Sequence, residues 1–199
     1  LISFGIWFLF FILIEHLGER QIGISGIVRS VYMLCTISVF AYSATANTLT
    51  SRLMGAGKQN EIPRTLWRIL KMSWLTLLPI LLFFAIFPKQ IASIYTSDAM
   101  LAAQSVPALY VIYIAAIIMT PAMIYFEFIS GTGNTLKALL LETCVLVFYV
   151  FYIFMAAHKF QFAIQWIWCS EWVYSTLMLI ISLCYLKFAN WRTKTLTDK

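Results

Sequence analysis

A chain of 199 residues that is 62% hydrophobic and 11% charged, with a mean hydropathy of +0.86, falls outside the range of water-soluble domains and reads as a membrane protein. A secretory signal does not account for this, because apolar stretches recur to the end of the chain. The formal charge of +6 does not require nucleic acid either, since the cations sort between apolar segments instead of forming one basic surface.

Six apolar segments follow, at about residues 1–16, 22–53, 62–87, 99–130, 136–157 and 162–188, each near or above the roughly 20 residues that a bilayer core demands. The expected architecture is all-α, a polytopic six-helix transmembrane bundle over residues 1–191 with a polar tail at 192–199. Leu1 is not an initiator methionine and the chain is apolar from its first residue, which predicts a fragment whose first helix is cut part way. Prolines fall in the opening turn of the third segment (Pro63) and just after it (Pro88), where helices tolerate them. Pro79, Pro107 and Pro121 lie in segment interiors, where kinks are expected. The stretch at 89–98 reads as a loop with a short interfacial piece. Cys35, Cys144, Cys169 and Cys184 lack the paired spacing of a metal or redox motif and are expected to be buried thiols.

The second segment carries a small, polar face. Ser43, Asn47 and Thr50 recur at i, i+4 and i+7, so they line one side of a helix. An amide such as Asn47 needs an internal partner or a wet cavity within a bilayer, so this side is expected to face other helices or a solute path. The segment ends in Gly55-Ala56-Gly57, where glycine can take the left-handed conformation that stops a helix. The fourth segment ends in a second glycine turn, Gly131-Thr132-Gly133-Asn134-Thr135. Neither turn follows a strand or carries a third glycine, so helix termination accounts for them better than phosphate binding.

Six crossings place the two glycine turns and the C-terminus on one side, together with ten of the 14 lysines and arginines: Arg52, Lys58, Arg64, Arg68, Lys71, Lys137, Lys187, Arg192, Lys194 and Lys199. Arg20, Lys89 and Lys159 fall on the other side, and Arg29 lies within the second helix. The positive-inside rule makes the richer side cytoplasmic. Trp67 and Trp191 near that face, and Trp166 and Trp168 near the other, are expected to form aromatic belts.

The second helix running into SRLMGAGKQNE and the fourth running into ISGTGNT resemble the corresponding helix ends in the C-terminal half of a MATE (multidrug and toxic compound extrusion) transporter. Both motifs together, at like ends of helices two and four in a six-helix unit, carry the resemblance over almost the whole chain. It implies helices seven to twelve of a twelve-helix protein whose two lobes face each other across a cavity. It further implies export of small organic, often cationic, solutes from a cell membrane, as in the bacterial inner membrane, coupled to H+ or Na+ without a cofactor. The N-terminal lobe of the same protein and the lipid bilayer are then the partners. Acidic residues that some branches carry deep in the seventh and tenth helices have no counterpart in residues 1–14 or 99–126, where no Asp or Glu occurs.

Four ionisable residues lie within the apolar spans: Arg29, Glu127, Glu142 and Glu171. An ionised group in hydrocarbon costs several kcal/mol, so such residues are candidates for ion coupling or for lining a cavity. Arg29 and Glu171 sit at matching depth, roughly 14 Å from the outer end by helical rise, which permits an ion pair if their helices touch. Glu142 is about 12 Å in from the cytoplasmic side, the best-placed titratable group for a cavity. Glu127 is nearer the second glycine turn and could cap it. Tyr113, Met123 and Tyr125 on the fourth helix offer aromatic and thioether surface for flat organic cations. The alternatives are a lipid-linked oligosaccharide flippase of the same superfamily and an integral-membrane enzyme. No G-x-S-x-G elbow occurs, and His16 and His158 lack metal-ligand spacing.

Overall fold

A computed structural model describes residues 2–189 and Trp191, with side chains from Phe8 onward. The polar tail at 192–199, with Arg192, Lys194 and Lys199, lies outside the described residues. The described chain is helical: α1 (Ile2–Ile14), α2 (Glu19–Gly55), α3 (Ile62–Ile86), α4 (Pro88–Ser93), α5 (Ala99–Gly131), α6 (Thr135–Phe154), α7 (Ile164–Ile167) and α8 (Ser170–Phe188). Among the described residues five helical stretches are long and apolar enough to cross a membrane, at Glu19–Gly55, Gln59–Ile86, Ala99–Gly131, Thr135–Lys159 and Ile164–Phe188. α1 is a shorter apolar helix.

Local chemistry sets the boundaries. Gly18, at φ +94°, separates a 3-10 turn at Glu15–Leu17 from α2. Pro63 and Pro88 sit in the first turns of α3 and α4, where the missing N–H has no intrahelical role. Asp98 caps α5, its carboxylate accepting from Met100 N at 2.8 Å and Leu101 N at 3.2 Å. α2 closes through Gly57 at φ +70°, where Lys58 N donates to Leu53 O at 2.9 Å. Helical hydrogen bonding continues through Pro79, Pro107 and Pro121, so none of them divides its helix.

The last expected segment spans Ile164–Phe188 with a local irregularity inside it. It divides into α7 and α8 at Trp168-Cys169, and α6 ends in a π turn at Met155–Lys159. These irregular ends meet the end of α1: His16 and His158 stack with ring centroids 4.2 Å apart, and His16 Nε2 lies 3.1 Å from Ala157 O.

α5 is the central helix, packing most extensively on α2, then α8, with α3, α4 and α6 also against it. Its buried hydroxyls turn inward on their own helix: Thr120 Oγ1 donates to Ala116 O at 2.9 Å and Ser105 Oγ to Leu101 O at 2.9 Å. Such back-bonding lets a polar residue sit in an apolar wall without an outside partner.

Two expectations are corrected by burial. Cys35 and Cys169 are buried thiols, but Cys144 and Cys184 are exposed on the outward faces of α6 and α8, where a small weakly polar thiol suits lipid. Trp67 and Trp166 are exposed as a belt requires, whereas Trp168 and Trp191 are buried. Each buried indole has a partner that makes burial tolerable: Trp168 Nε1 donates to Ser25 Oγ at 3.2 Å, and Trp191 Nε1 to Leu186 O at 2.9 Å.

Candidate functional site

A cavity of about 650 Å³ opens among α1, α2, α5, α6 and α8. Of the long helices α2, α5 and α6 each contribute a stripe at helical spacing. α2 presents Arg29, Tyr32, Thr36 and Phe40; α5 presents Met119, Met123, Phe126 and Glu127; α6 presents Glu142, Leu146 and Tyr149. Glu171 and Tyr174 come from the first turns of α8, and Phe8 from α1. All four ionisable residues singled out from the sequence therefore share one space, although they lie on four different helices.

The carboxylates differ in setting. Glu171 is 5% exposed and accepts the Tyr149 hydroxyl at 2.9 Å. Tyr32, 1% exposed, donates its hydroxyl proton to Met119 Sδ at 3.1 Å. Glu142 and Glu127 are half-buried. Glu127 accepts from Asn47 Nδ2 at 2.7 Å, which ties the cavity's lower rim to α2. The Arg29 guanidinium lies over the Phe11 ring, 5.4 Å from its centroid, so α1 offers it a π face. Arg29 and Glu171, expected at matching depth, line the same cavity.

Below the cavity α2 and α5 close together. Ser43 and Thr50 are buried, Ser43 Oγ donating to Val39 O at 2.8 Å. A Cβ on Gly131 would stand 2.7 Å from Asn47 O and 2.8 Å from Thr50 Cβ, so the α5 terminus approaches α2 more closely than any side chain permits. Ser51 Oγ adds a hydrogen bond to Gly131 O at 3.0 Å. Gly55 and Gly57 thus end α2 beside the place where Gly131 and Gly133 end α5, with Gly133 at φ +79°. Asn134 Nδ2 bonds Thr132 Oγ1 at 3.1 Å and the Tyr185 hydroxyl, which anchors the second turn to α8.

Of the proposed solute-path residues, Met123 lines the cavity. Tyr113 lines a separate apolar groove between α3 and α5, with Trp74, Pro79 and Tyr110. Tyr125 is half-buried and lines neither space. Met119, which lies with them on the fourth helix, lines the cavity too, and Tyr32, Tyr149 and Tyr174 escaped the sequence reading. The signal that finds them is the stripe itself: Arg29, Tyr32 and Thr36 at i, i+3 and i+7, and Glu142, Leu146 and Tyr149 at i, i+4 and i+7. Among the described residues, no group of three or more His, Cys, Asp or Glu is placed to hold a metal ion.

Long apolar helices around a charged, aromatic space of small-molecule size define a multi-pass helical membrane protein with a solute-sized cavity. The MatE family model matches residues 1–155, and the chain belongs to that family. It is accordingly a membrane transporter of the MATE superfamily, whose members are transporters and not enzymes. Comparison with curated proteins and with solved structures yields no match. The matched stretch ends within the π turn, so α7 and α8, with Glu171, lie beyond it.

Proposed function

We propose that this chain is one six-helix lobe of a twelve-helix secondary transporter that exports organic cations in exchange for H+ or Na+ by alternating access. The observation that carries the proposal is the composition of the cavity: three carboxylates, Glu127, Glu142 and Glu171, with Arg29 as the cation among its described lining residues. Phe8, Phe40, Phe126, Met33 and Met123 supply faces that attract and adapt to flat cations. A carboxylate that serves solute and coupling ion in turn makes their binding mutually exclusive, which is the physical requirement for exchange. Glu142, half-buried at the cavity edge, is the first candidate for that role, and Glu171 the second.

In this reading the glycine turns and the cation-rich ends face the cytosol, the protein sits in a bacterial inner membrane, and the N-terminal lobe closes the open side of the cavity. A flippase for lipid-linked oligosaccharide would need several cations to hold a pyrophosphate, and the three acids argue against that cargo. The test is Glu142→Gln in the intact transporter. Cation-coupled efflux and drug resistance should fall at unchanged expression; undiminished resistance at normal expression overturns the assignment of Glu142.

A further inference from the structure

α3 turns a divided stripe outward. Arg64, Arg68, Lys71, Leu75, Leu78 and Leu82 recur at i, i+4, i+7, i+11, i+14 and i+18 and are all exposed, so they share one helical face whose first half is cationic and whose second half is apolar. The apolar half is one wall of the groove between α3 and α5, a space of about 630 Å³ whose other wall includes Ile114 and Ile117. This groove shares no lining residue with the charged cavity. At its far end the Tyr110 hydroxyl donates to Ala85 O at 3.1 Å and ties the two helices together.

The cations at the near end are not taken up within the chain. Among the described residues neither Arg64 nor Arg68 enters an ion pair, and the neighbouring acid, Glu61, stands 3.8 Å from Lys58. Lys71 Nζ lies 5.2 Å from the ring centroid of Trp67, an exposed indole of the kind that sits at a membrane interface.

Dimensions select the occupant. From Trp74 to Ala85 the groove runs about 16 Å by helical rise, half of the roughly 30 Å hydrocarbon core, so it is one leaflet deep. From Lys71 to Arg64 the stripe continues for about 10 Å, at the level of the headgroups. We propose that this face binds an anionic phospholipid, with one acyl chain in the α3–α5 groove and the phosphate held by Arg64, Arg68 and Lys71. The site goes beyond the transport reading, and only its assignment to the cytosolic leaflet rests on the orientation given there. Guanidinium groups match phosphate oxygens in both charge and geometry. A zwitterionic lipid offers the same chain but carries its own ammonium beside the phosphate. The positive-inside rule asks only for cations on this side of the membrane, and does not ask that they continue the face of a helix that lines a chain-sized groove.

The test is native mass spectrometry of the full-length protein titrated with phosphatidylglycerol, with phosphatidylcholine of the same chains and soluble glycerol phosphate as comparisons. Phosphatidylglycerol should be retained about tenfold or more over phosphatidylcholine, and glycerol phosphate should not displace it. Arg64→Gln and Arg68→Gln should each weaken retention about fivefold and together about thirtyfold, the loss expected for one and two cations near a lipid surface. Leu78→Trp, which fills the groove and leaves the cations in place, should weaken it about fivefold, as for the loss of one or two buried methylenes. Lys137→Gln, which removes an exposed cation near the start of α6, should leave retention unchanged. Equal retention of the two lipids, a double arginine variant that binds as the wild type does, or a Lys137→Gln loss as large as that of Arg64→Gln overturns the site. Displacement by glycerol phosphate or an indifferent Leu78→Trp overturns the groove's part in it. A wild type that retains no lipid, as when another lobe or a second copy covers the face, overturns it as well.

Discussion

The same two helices, α2 and α5, behave differently along their length. Toward the glycine turns they touch so closely that a Cβ at Gly131 would stand 2.7 Å from the backbone of Asn47, and the polar groups between them are matched. About one to four turns further along, from Phe126 to Met119 and from Phe40 to Tyr32, they line parts of a space of about 650 Å³. The contrast teaches that small residues bring helices together, while Phe, Met and charged side chains hold them apart and furnish the gap. Polar residues are satisfied by neighbouring helices in both zones, but only in the second do they also border the cavity.

The sharpest way to break the contrast is to put bulk into the closed zone. Gly131→Val should cost on the order of 3 kcal/mol or more, seen as a large fall in thermal unfolding midpoint in detergent, because the clash is with backbone and Thr50 Cβ and not with a flexible tip. Gly131→Ala should cost about 1–3 kcal/mol by the same route. Asn47→Ala should come next, at about 0.6–1.7 kcal/mol, the range for interhelical hydrogen bonds in membranes, and should also perturb Glu127 in the cavity rim. In the open zone, Met123→Leu should leave the unfolding midpoint within about 1 kcal/mol of wild type while changing solute affinity, which binding of a fluorescent organic cation would detect. The smallest effect belongs outside both zones: Glu61→Gln, which loses an exposed partner 3.8 Å from Lys58, should be indistinguishable from wild type within about 0.5 kcal/mol.

Much of the closed zone was legible. The i, i+4, i+7 run of Ser43, Asn47 and Thr50 and the paired glycine turns are local patterns, and their meeting follows from parallel helices of similar length. The cavity was legible only as a set of separate charges, because its walls join residues as far apart as Phe8 and Tyr174 and no local spacing reports which faces converge. The phenol of Tyr149 was invisible for a related reason: among 17% aromatic residues, a tyrosine that bonds a carboxylate looks like one that meets lipid. The division of the last segment at Trp168-Cys169 was missed because no proline or glycine marks it. Burial of Trp168 against Ser25 was hidden likewise, since a partner 143 residues away leaves no trace in the local pattern.

Gly131 also marks where two of the helices are joined backbone to backbone. A joint at which main chain meets main chain has no rotamers to exchange, so re-seating α5 on α2 at this point would require the backbones themselves to shift. Around the cavity the joints are of another kind: α6 and α8 meet through the ends of long side chains, as where Tyr149 reaches Glu171.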